Sequence, residues 1–375
     1  MAGIYIHIPF CKQACTYCNF HFSTNLLLQN DVTAALLKEI ELRTGYLENE
    51  PIDTIYFGGG TPSILPDSSL GVLLSAIKNN FQINPKPEIT LEANPDDMSP
   101  ARLMAWQKSG FNRLSIGVQS FFSDDLRWMN RAHTAGQSVQ AIADAKAAGF
   151  TNFSLDLIYG LPRLSDENWS ENLSIAISLQ PTHISCYALT VEPKTVLYKL
   201  IEAKKTADID PERQAAQFFT GIQSLETAGF EHYEISSFAK PGMRSRHNSS
   251  YWQSKKYLGL GPAAHSFDGQ SRQWNIANNA LYIRSLMAGQ LNFELENLAP
   301  RDVLNEYIMT SLRTMEGLDL QLIEEKFGND KRNSLHFNAR EYMSAEKMER
   351  REDRLVLTKK GKLFADGIAS ALFFE

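Results

Sequence analysis

Apolar and polar positions along the first half of the chain change repeatedly between short apolar runs and longer periodic stretches. The short runs are rich in β-branched and aromatic residues and predict six strands, at 3–8, 53–57, 88–92, 113–117, 152–158 and 183–187. Apolar residues at helical spacing lie between them and predict helices at 31–46, 69–79, 100–109, 137–148 and 166–178. This alternation indicates an α/β fold with a parallel sheet, which binds ligands at the carboxyl ends of its strands.

The second half of the chain does not continue the alternation of strands and helices. A helical stretch at 211–228 and a strand-like run from His232 precede passages rich in Gly, Pro and Ser, so we expect residues 196–299 to wrap around a 1–195 core. Residues 300–375 predict a small, mainly helical, winged-helix-like domain, with helices at 301–313, 320–327 and 359–372 and a strand at 354–357. Helix packing of this kind is more often structural than DNA-binding, so we expect no nucleic-acid partner.

Composition narrows the class of protein. Of 375 residues, 43% are apolar and 21% are charged, which is ordinary globular usage and excludes disordered, collagen-like and coiled-coil chains. The net charge of −6 gives no overall field that would attract nucleic acid. No apolar run approaches the roughly 20 residues of a membrane span, and the first residues lack the features of an export signal. We therefore expect a cytoplasmic protein.

Three of the four cysteines, Cys11, Cys15 and Cys18, lie within eight residues, directly after the first predicted strand. Three thiolates in such a loop are suited to a soft metal. A structural zinc site needs four ligands, which His7 or His21 would complete. An iron-sulfur cluster is normally bound by four cysteines, so three would leave one iron of a [4Fe-4S] cluster open. The spacing favours the cluster and leaves zinc as the alternative.

The pattern C-x3-C-x2-C after a first strand, with the aromatic Tyr17 before the last cysteine, resembles the radical S-adenosylmethionine (SAM) superfamily. The resemblance implies an open (β/α)6 partial barrel, with a [4Fe-4S] cluster whose open iron binds the amino and carboxylate groups of SAM. The segment 58–62, GGGTP, resembles the superfamily segment that contacts the methionyl amino end. Without the resemblance, a glycine run of this kind is often a plain tight turn.

By the same resemblance, SAM contacts fall on residues at the ends of successive strands. Carboxylates suit the ribose hydroxyls and the ammonium group, and Arg131 suits the methionyl carboxylate. Taken alone, polar residues at strand ends usually face only solvent. The implied contacts are Tyr5, Tyr17, Gly59, Gly60, Thr61, Glu92, Gln119, Arg131, Asp156 and Ala188.

Five segments, YIHIPFC, FGGGTP, GVQSF, DLIYGLP and HISCYALTVEP, resemble the subgroup that contains oxygen-independent coproporphyrinogen III dehydrogenase and haem chaperones. The dehydrogenase has a further cysteine two positions after the triplet, where this chain has Phe20. We therefore favour a haem chaperone that delivers haem to apo-haemoproteins, and we do not expect coproporphyrinogen dehydrogenase activity. The dehydrogenase, a radical-SAM oxidative decarboxylase, is the alternative, and a zinc-stabilised binding module is a third class.

The segment 247–251, HNSSY, resembles the HNxxY haem-binding element of those chaperones, which implies haem binding by His247, Asn248 and Tyr251. If the segment is helical, the i, i+4 spacing places His247 and Tyr251 on one face, and both residue types are known axial ligands of haem iron. Taken alone, a histidine in a polar loop is more often a surface or hydrogen-bonded residue. Cys186 and His265 are weaker alternatives.

The resemblance also bears on partners and location. It implies self-association as a homodimer and contact with respiratory membrane proteins, which would bring the chain to the inner face of the membrane. No Cys-x-x-Cys-His is present, so the sequence lacks the motif for c-type haem attachment.

Overall fold

The computed structural model of the chain describes residues 2–375. The strands are β1 (Ala2–Ile8), β2 (Ile52–Gly59), β3 (Ile83–Ala93), β4 (Arg113–Gln119), β5 (Phe153–Tyr159), β6 (His183–Ala188), β7 (Glu231–Glu234), β8 (Ser237–Ala239), β9 (Tyr257–Leu260), β10 (His265–Phe267), β11 (Ser271–Asn275), β12 (Phe293–Asn297), β13 (Leu318–Asp319), β14 (Met348–Arg351) and β15 (Arg354–Leu357). The helices are α1 (Gln29–Leu42), α2 (Asp67–Asn80), α3 (Pro100–Ser109), α4 (Ser123–Trp128), α5 (Ala135–Ala147), α6 (Asp166–Ser178), α7 (Val196–Glu202), α8 (Pro211–Thr227), α9 (Arg246–Trp252), α10 (Asn279–Met287), α11 (Pro300–Leu312), α12 (Leu320–Phe327), α13 (Asn329–Ser344), α14 (Lys359–Lys362) and α15 (Ala365–Ala371).

Strands β1 to β6 lie side by side in chain order and all pair in parallel, which confirms the predicted α/β architecture. Alternate residues of a strand point to opposite faces. In β1, Ile4, Ile6 and Ile8 are fully buried in the apolar core, whereas Tyr5 and His7 point to the other face, the inside of the open barrel. The inner face therefore carries the polar side chains on which a site can be built.

The predicted helices agree best with the structure where capping residues mark both ends of the helix. Helix α3 begins after Ser99, whose side chain accepts from the Arg102 amide, and it ends before Gly110, which has φ of 109°. Without such end signals, the first helix ends at Leu42 and not at residue 46. The single helix predicted at 359–372 is wrong, because two short helices, α14 and α15, occupy it. The sequence pattern does not predict helices α4, α7, α10 and α13.

The segment after residue 195 extends the sheet at both edges. Strands β8 and β7 continue it beyond β6, and β9 pairs in parallel with β1 and is followed by β10, β11 and β12. The strands added beside β1 are joined to α1 by the buried carboxylate of Glu39. Its oxygens accept from the Tyr282 hydroxyl at 2.6 Å, the Gly261 amide at 2.8 Å and the Asn275 side chain at 2.7 Å.

The C-terminal region has an apolar core of its own. Leu304, Ile323, Leu355 and Ile368 are among its buried members, and β13, β15 and β14 form a small separate sheet there. Arg313 links it to the main sheet by an ion pair with Glu234 at 3.2 Å. The region is helical as expected, and the three-part division of the chain stays a prediction. None of the helices within residues 2–375 has both the length and the apolar character to cross a bilayer.

Candidate functional site

The three clustered cysteines lie in the loop that follows β1. Backbone hydrogen bonds from the Cys11 amide to Ser23 at 3.1 Å and from the Ser23 amide to Pro9 at 2.9 Å close this loop on itself. The Thr16 amide, which donates to Met129 at 3.1 Å, anchors its middle to the end of α4. All three thiols are half-buried and free of disulfides. The loop therefore presents three unmodified thiols at the carboxyl end of the sheet.

These thiols line one cavity of about 480 Å³ at the mouth of the barrel. Nine of the ten residues expected to contact SAM line the same cavity, and Tyr5 is the exception. The nine are Tyr17, Gly59, Gly60, Thr61, Glu92, Gln119, Arg131, Asp156 and Ala188. They come from loops and strand ends more than 170 positions apart in the chain, which supports a single ligand site; SAM contact itself stays a prediction.

The two histidines considered as a fourth zinc ligand are engaged elsewhere. The ring of His7 contacts the Tyr5 hydroxyl at 3.2 Å and the backbone oxygen of His21 at 2.8 Å, and burial lowers its pKa to about 4. The ring of His21 contacts Asn279 at 2.8 Å. Neither histidine lines the cavity with the thiols. In the part of the chain that the structure describes, no group of three or more His, Cys, Asp or Glu is already gathered as a metal site.

The glycines at the end of β2 allow the chain to approach β1 and the cysteine loop closely. Gly59 has φ of 112°, and a Cβ there would lie 2.6 Å from Nδ1 of His7. A Cβ on Gly60 would lie 2.6 Å from the backbone oxygen of Phe10. Neither contact is compatible with a side chain. The glycine run is therefore required by close packing beside the cysteine loop, beyond what a plain turn needs.

Arg131 and Asn94 join the parts of the cavity wall. Arg131 donates to Asn94 Oδ1 at 2.6 Å, to the Gly117 backbone oxygen at 2.9 Å and to Cys15 Sγ at 3.5 Å. Asn94 in turn donates to the Thr61 hydroxyl at 3.2 Å. The buried Nε of Arg131 has no hydrogen-bond partner within residues 2–375. A cation with an unused donor at this wall is suited to an incoming carboxylate.

Two carboxyl groups lie on the strand side of the cavity. Burial and the nearby Asp156 raise the pKa of Glu92 to about 7, although hydrogen bonds from the Tyr56 hydroxyl and the Gly59 amide favour its ionised form. Burial also raises the pKa of Asp156, which accepts from Ser115 at 3.1 Å.

Gln119, which also lines the cavity, has φ of 67° and lies at an irregularity in the pairing of β4 with β5. Backbone strain of this kind is common at ligand sites.

The HNxxY segment is helical, and it lies away from the cavity. Helix α9 packs against β1 and β2, where His247 is 1% exposed. Its Nδ1 contacts the Thr54 hydroxyl at 2.8 Å, and its Nε2 contacts the Tyr251 hydroxyl at 2.9 Å. In this conformation the ring has no free nitrogen for iron, so ligation by His247 would require α9 to move. Haem binding by His247, the half-buried Asn248 and Tyr251 stays a prediction.

The other candidate haem ligands lie apart from α9. Cys186 is buried in the core of β6, and burial raises the pKa of its thiol. His265 is exposed on β10 and its ring stacks on Trp274. Phe20, which replaces the fourth cysteine of the dehydrogenase pattern, lies at the rim of the cavity and is 67% exposed.

Sequence reasoning missed the amides that support the site. Asn130 donates to the backbone oxygen of Ala14 at 2.7 Å and accepts from Gln13 at 2.8 Å, so it ties α4 to the cysteine loop. Asn94 lies two positions after Glu92, the same spacing that places alternate residues on one strand face, and that signal would have found it. Asn130 follows a short helix that was itself missed, and only the tertiary structure brings it to the loop.

Comparison with known proteins shows the superfamily and the fold to which this chain is similar. The model of the Radical SAM superfamily matches residues 5–174, which contain the cysteine loop and most of the cavity wall. The model of the HemN C-terminal domain matches residues 298–364. The solved structure of coproporphyrinogen III oxidase (HemN) from Escherichia coli, a radical SAM enzyme, superposes with a TM-score of 0.86 over 99% of this chain and 90% of that chain. At 23% identity this likeness shows a shared fold.

Curated relatives define the family. A protein named heme chaperone HemW from Mycobacterium tuberculosis is 33% identical over 375 residues, covering 99% of this chain and 94% of its own length. Its namesake from Bacillus subtilis is 32% identical over the whole of both chains. The namesake from Escherichia coli is 34% identical over 84% of this chain and 83% of its own length. The chain therefore belongs to the HemW family of the radical SAM superfamily.

Proposed function

We propose that this protein is a haem chaperone, which binds haem and delivers it to apo-haemoproteins. The observation that carries the proposal is the similarity, across nearly the whole chain, to several bacterial proteins named heme chaperone HemW. The similarity includes the C-terminal region as well as the barrel, so it extends beyond what radical SAM proteins share in general. The structural likeness to HemN supports the fold and does not by itself favour the dehydrogenase.

The cysteine loop and cavity fit a [4Fe-4S] cluster with SAM. Cys11, Cys15 and Cys18 would hold three irons, since soft thiolates are the ligands such clusters take and no histidine lines the cavity as a fourth ligand. When bound, the cluster would supply an electron and an open iron for SAM. The chain's own residues would then position SAM: Arg131 by binding its carboxylate, and Glu92 and Asp156 by accepting from its hydroxyl and ammonium groups.

Phe20 supports the chaperone over coproporphyrinogen III dehydrogenase. At the place where the dehydrogenase pattern has a polar, reactive thiol, this chain puts an exposed aromatic ring at the cavity rim. The cavity therefore lacks one functional group of that enzyme.

The experiment uses anaerobically purified, reconstituted protein. We expect iron and sulfide in the ratio of a [4Fe-4S] cluster, a Soret band on addition of haem, and transfer of that haem to an apo-haemoprotein such as apomyoglobin. Cys11→Ala should lose iron, whereas Cys186→Ala, the matched control, should retain it because Cys186 lies in the core. Bound zinc, absence of a Soret band, or conversion of coproporphyrinogen III to protoporphyrinogen would each refute the proposal.

We propose further that the protein works in the reducing cytoplasm and assembles as a homodimer. We also propose that its haem acceptors include respiratory membrane proteins. These points rest on the family resemblance. Light scattering with and without haem tests the dimer, and co-sedimentation with membranes that contain or lack apo-respiratory complexes tests the acceptors. A monomer under both conditions, or equal sedimentation with both membranes, would refute them.

A further inference from the structure

Helix α9 closes the end of the barrel opposite the cavity, and its first turn is locked in place. Glu88 of β3 accepts from the backbone amides of Arg246 at 3.1 Å and His247 at 3.0 Å, which satisfies two donors that a helix start leaves unpaired. The hydrogen bonds from His247 to Thr54 and Tyr251 hold both edges of the imidazole. The orientation of this buried ring is therefore determined by three separate elements, β2, β3 and α9.

The face of the His247 ring packs against Tyr56. The ring centroids are 5.0 Å apart with an interplanar angle of 22°, and Tyr5 stacks beside both rings at 6.1 Å from Tyr56 and 6.4 Å from His247. The packing also allows no side chain at Gly58, where a Cβ would lie 2.9 Å from both Tyr5 and Tyr56. Tyr56 is thus confined by ring stacking and by the close backbone of Gly58.

The hydroxyl of Tyr56 donates to Oε1 of Glu92 at 2.7 Å. Glu92 lines the cavity, whereas His247 does not. A continuous path of contacts therefore runs from the HNxxY helix, through one aromatic ring, to a carboxylate in the wall of the candidate cofactor site. Because each ring is held on several sides, a change at His247 has a direct physical route to Glu92.

We propose that His247 is a positioning residue: its ring holds Tyr56 in place, and the Tyr56 hydroxyl holds the Glu92 carboxylate at the cavity wall. The inference deepens the proposed function, because only its last consequence, on SAM affinity, rests on SAM binding in this cavity. It gives the HNxxY motif a role in the cofactor site that needs no contact between His247 and iron.

The test starts without any cofactor. Protonation of Glu92 is followed by infrared spectroscopy of the apo-protein, with the Glu92→Gln variant identifying its carboxyl band. Tyr56→Phe should move the titration midpoint to higher pH, because the lost hydrogen bond favoured the ionised form. His247→Leu, which fills the space without a planar ring, should move it in the same direction. His247→Phe, which restores a planar ring without its hydrogen bonds to Thr54 and Tyr251, should return the midpoint most of the way to that of the wild type.

Two further variants complete the set. Thr54→Val removes one of the hydrogen bonds that hold the His247 ring and should give a smaller shift, which keeps the inference testable if His247→Leu fails to fold. His183→Ala is the control, because His183 is also buried but lies on β6, where its ring bonds to the Tyr233 hydroxyl at 2.7 Å. The ionisable groups that face Glu92 come from six elements, and they are Tyr5, Tyr56, Arg113, Asp156, Tyr187 and Tyr251.

The second measurement is SAM affinity of the reconstituted protein by equilibrium dialysis. Tyr56→Phe and His247→Leu should each weaken binding roughly two- to tenfold, the size of one neutral hydrogen bond, and His183→Ala should not. An unchanged Glu92 midpoint in either Tyr56→Phe or His247→Leu, or a His247→Phe protein as impaired as His247→Leu, would overturn the inference. A wild type that binds no SAM would instead overturn the SAM part of the proposed function, and the Glu92 midpoints would still decide the role of His247.

Discussion

The guanidinium of Arg131 donates to the sulfur of Cys15 over 3.5 Å and to Asn94 over 2.6 Å, so a single side chain joins the cysteine loop to the end of β3. Three different parts of the chain meet at this cation. Its planar group makes these bonds simultaneously, which the single ammonium of a lysine cannot do with the same geometry.

Arg131→Lys and Arg131→Ala should therefore weaken SAM binding. Hydrogen bonds to charged groups contribute about 1.5–3 kcal/mol, so we expect roughly tenfold to hundredfold weaker binding by equilibrium dialysis of the reconstituted protein. Arg127→Ala is the control, since Arg127 lies on nearby α4 with an exposed side chain paired only to Asp124. Equal affinities for the Arg131 variants and the wild type would show that this cation does not bind the ligand.

Gly59→Ala should destabilise the fold. The residue has φ of 112°, and the new Cβ would collide with the ring of His7. Strain in such a region costs about 1–3 kcal/mol, and we expect at least that loss in the free energy of unfolding measured in urea.

The control for this prediction is Gly136→Ala in the first turn of α5. Apart from the adjacent residues and the helix backbone, no atom of residues 2–375 lies within 4 Å of a Cβ built there, and the backbone φ is not positive. Alanine should be neutral or stabilise by about 0.4–1 kcal/mol, because it reduces the entropy of the unfolded chain. Similar losses for both variants would argue against close packing at Gly59.

Glu92 should make stability depend on pH. Its folded-state pKa, raised to about 7 mainly by burial, lies above the ordinary 4.5 of the unfolded chain. Between these values the folded state binds more protons than the unfolded state, so stability falls as pH rises from about 4.5 through 7. Urea unfolding at pH 5, 6, 7 and 8 measures this contribution when the wild type is compared with a variant that cannot ionise at position 92, because buried histidines with lowered pKa, such as His7, change the stability of the wild type in the opposite direction.

The comparison that isolates Glu92 is with Glu92→Gln, which cannot ionise. The stability of this variant relative to the wild type should increase over the same pH window, while the contributions of all other groups cancel. Parallel stability curves for the two proteins would contradict a raised pKa at this carboxyl group.

Glu39→Ala should strongly destabilise the attachment of the added strands. It would leave Tyr282, Asn275 and the nearby Arg43 without their buried acceptor. Removing one partner of a buried charged network costs about 3–5 kcal/mol. Glu41→Ala on the same helix is the control, because Glu41 is exposed and pairs only with Lys38, so its loss should cost less than about 1 kcal/mol. Equal unfolding free energies in urea would exclude this role for Glu39.

The short strands β8 and β10 and the polar helix α13 are elements that sequence patterns are insufficient to predict. Strands β8 and β10 have three residues each, too few to display a period, and they form because neighbouring strands offer free backbone groups. Helix α13 buries only Leu335 and Ala339, so it has almost no apolar stripe to recognise. In each case, tertiary contacts supply the stability that local pattern lacks.

The sequence by itself determined the six parallel strands, the helices between them and the position of the cysteine loop, because apolar periodicity and strand-end placement are local properties that survive without knowledge of contacts. Together with the family resemblance, it also named the three cysteines and nine further residues that line the cavity, where the carboxyl ends of parallel strands meet at one edge. Only the tertiary structure decided which way His247 faces, because its two hydrogen-bond partners are 193 and four positions away, and only packing of α9 against β2 brings all three together.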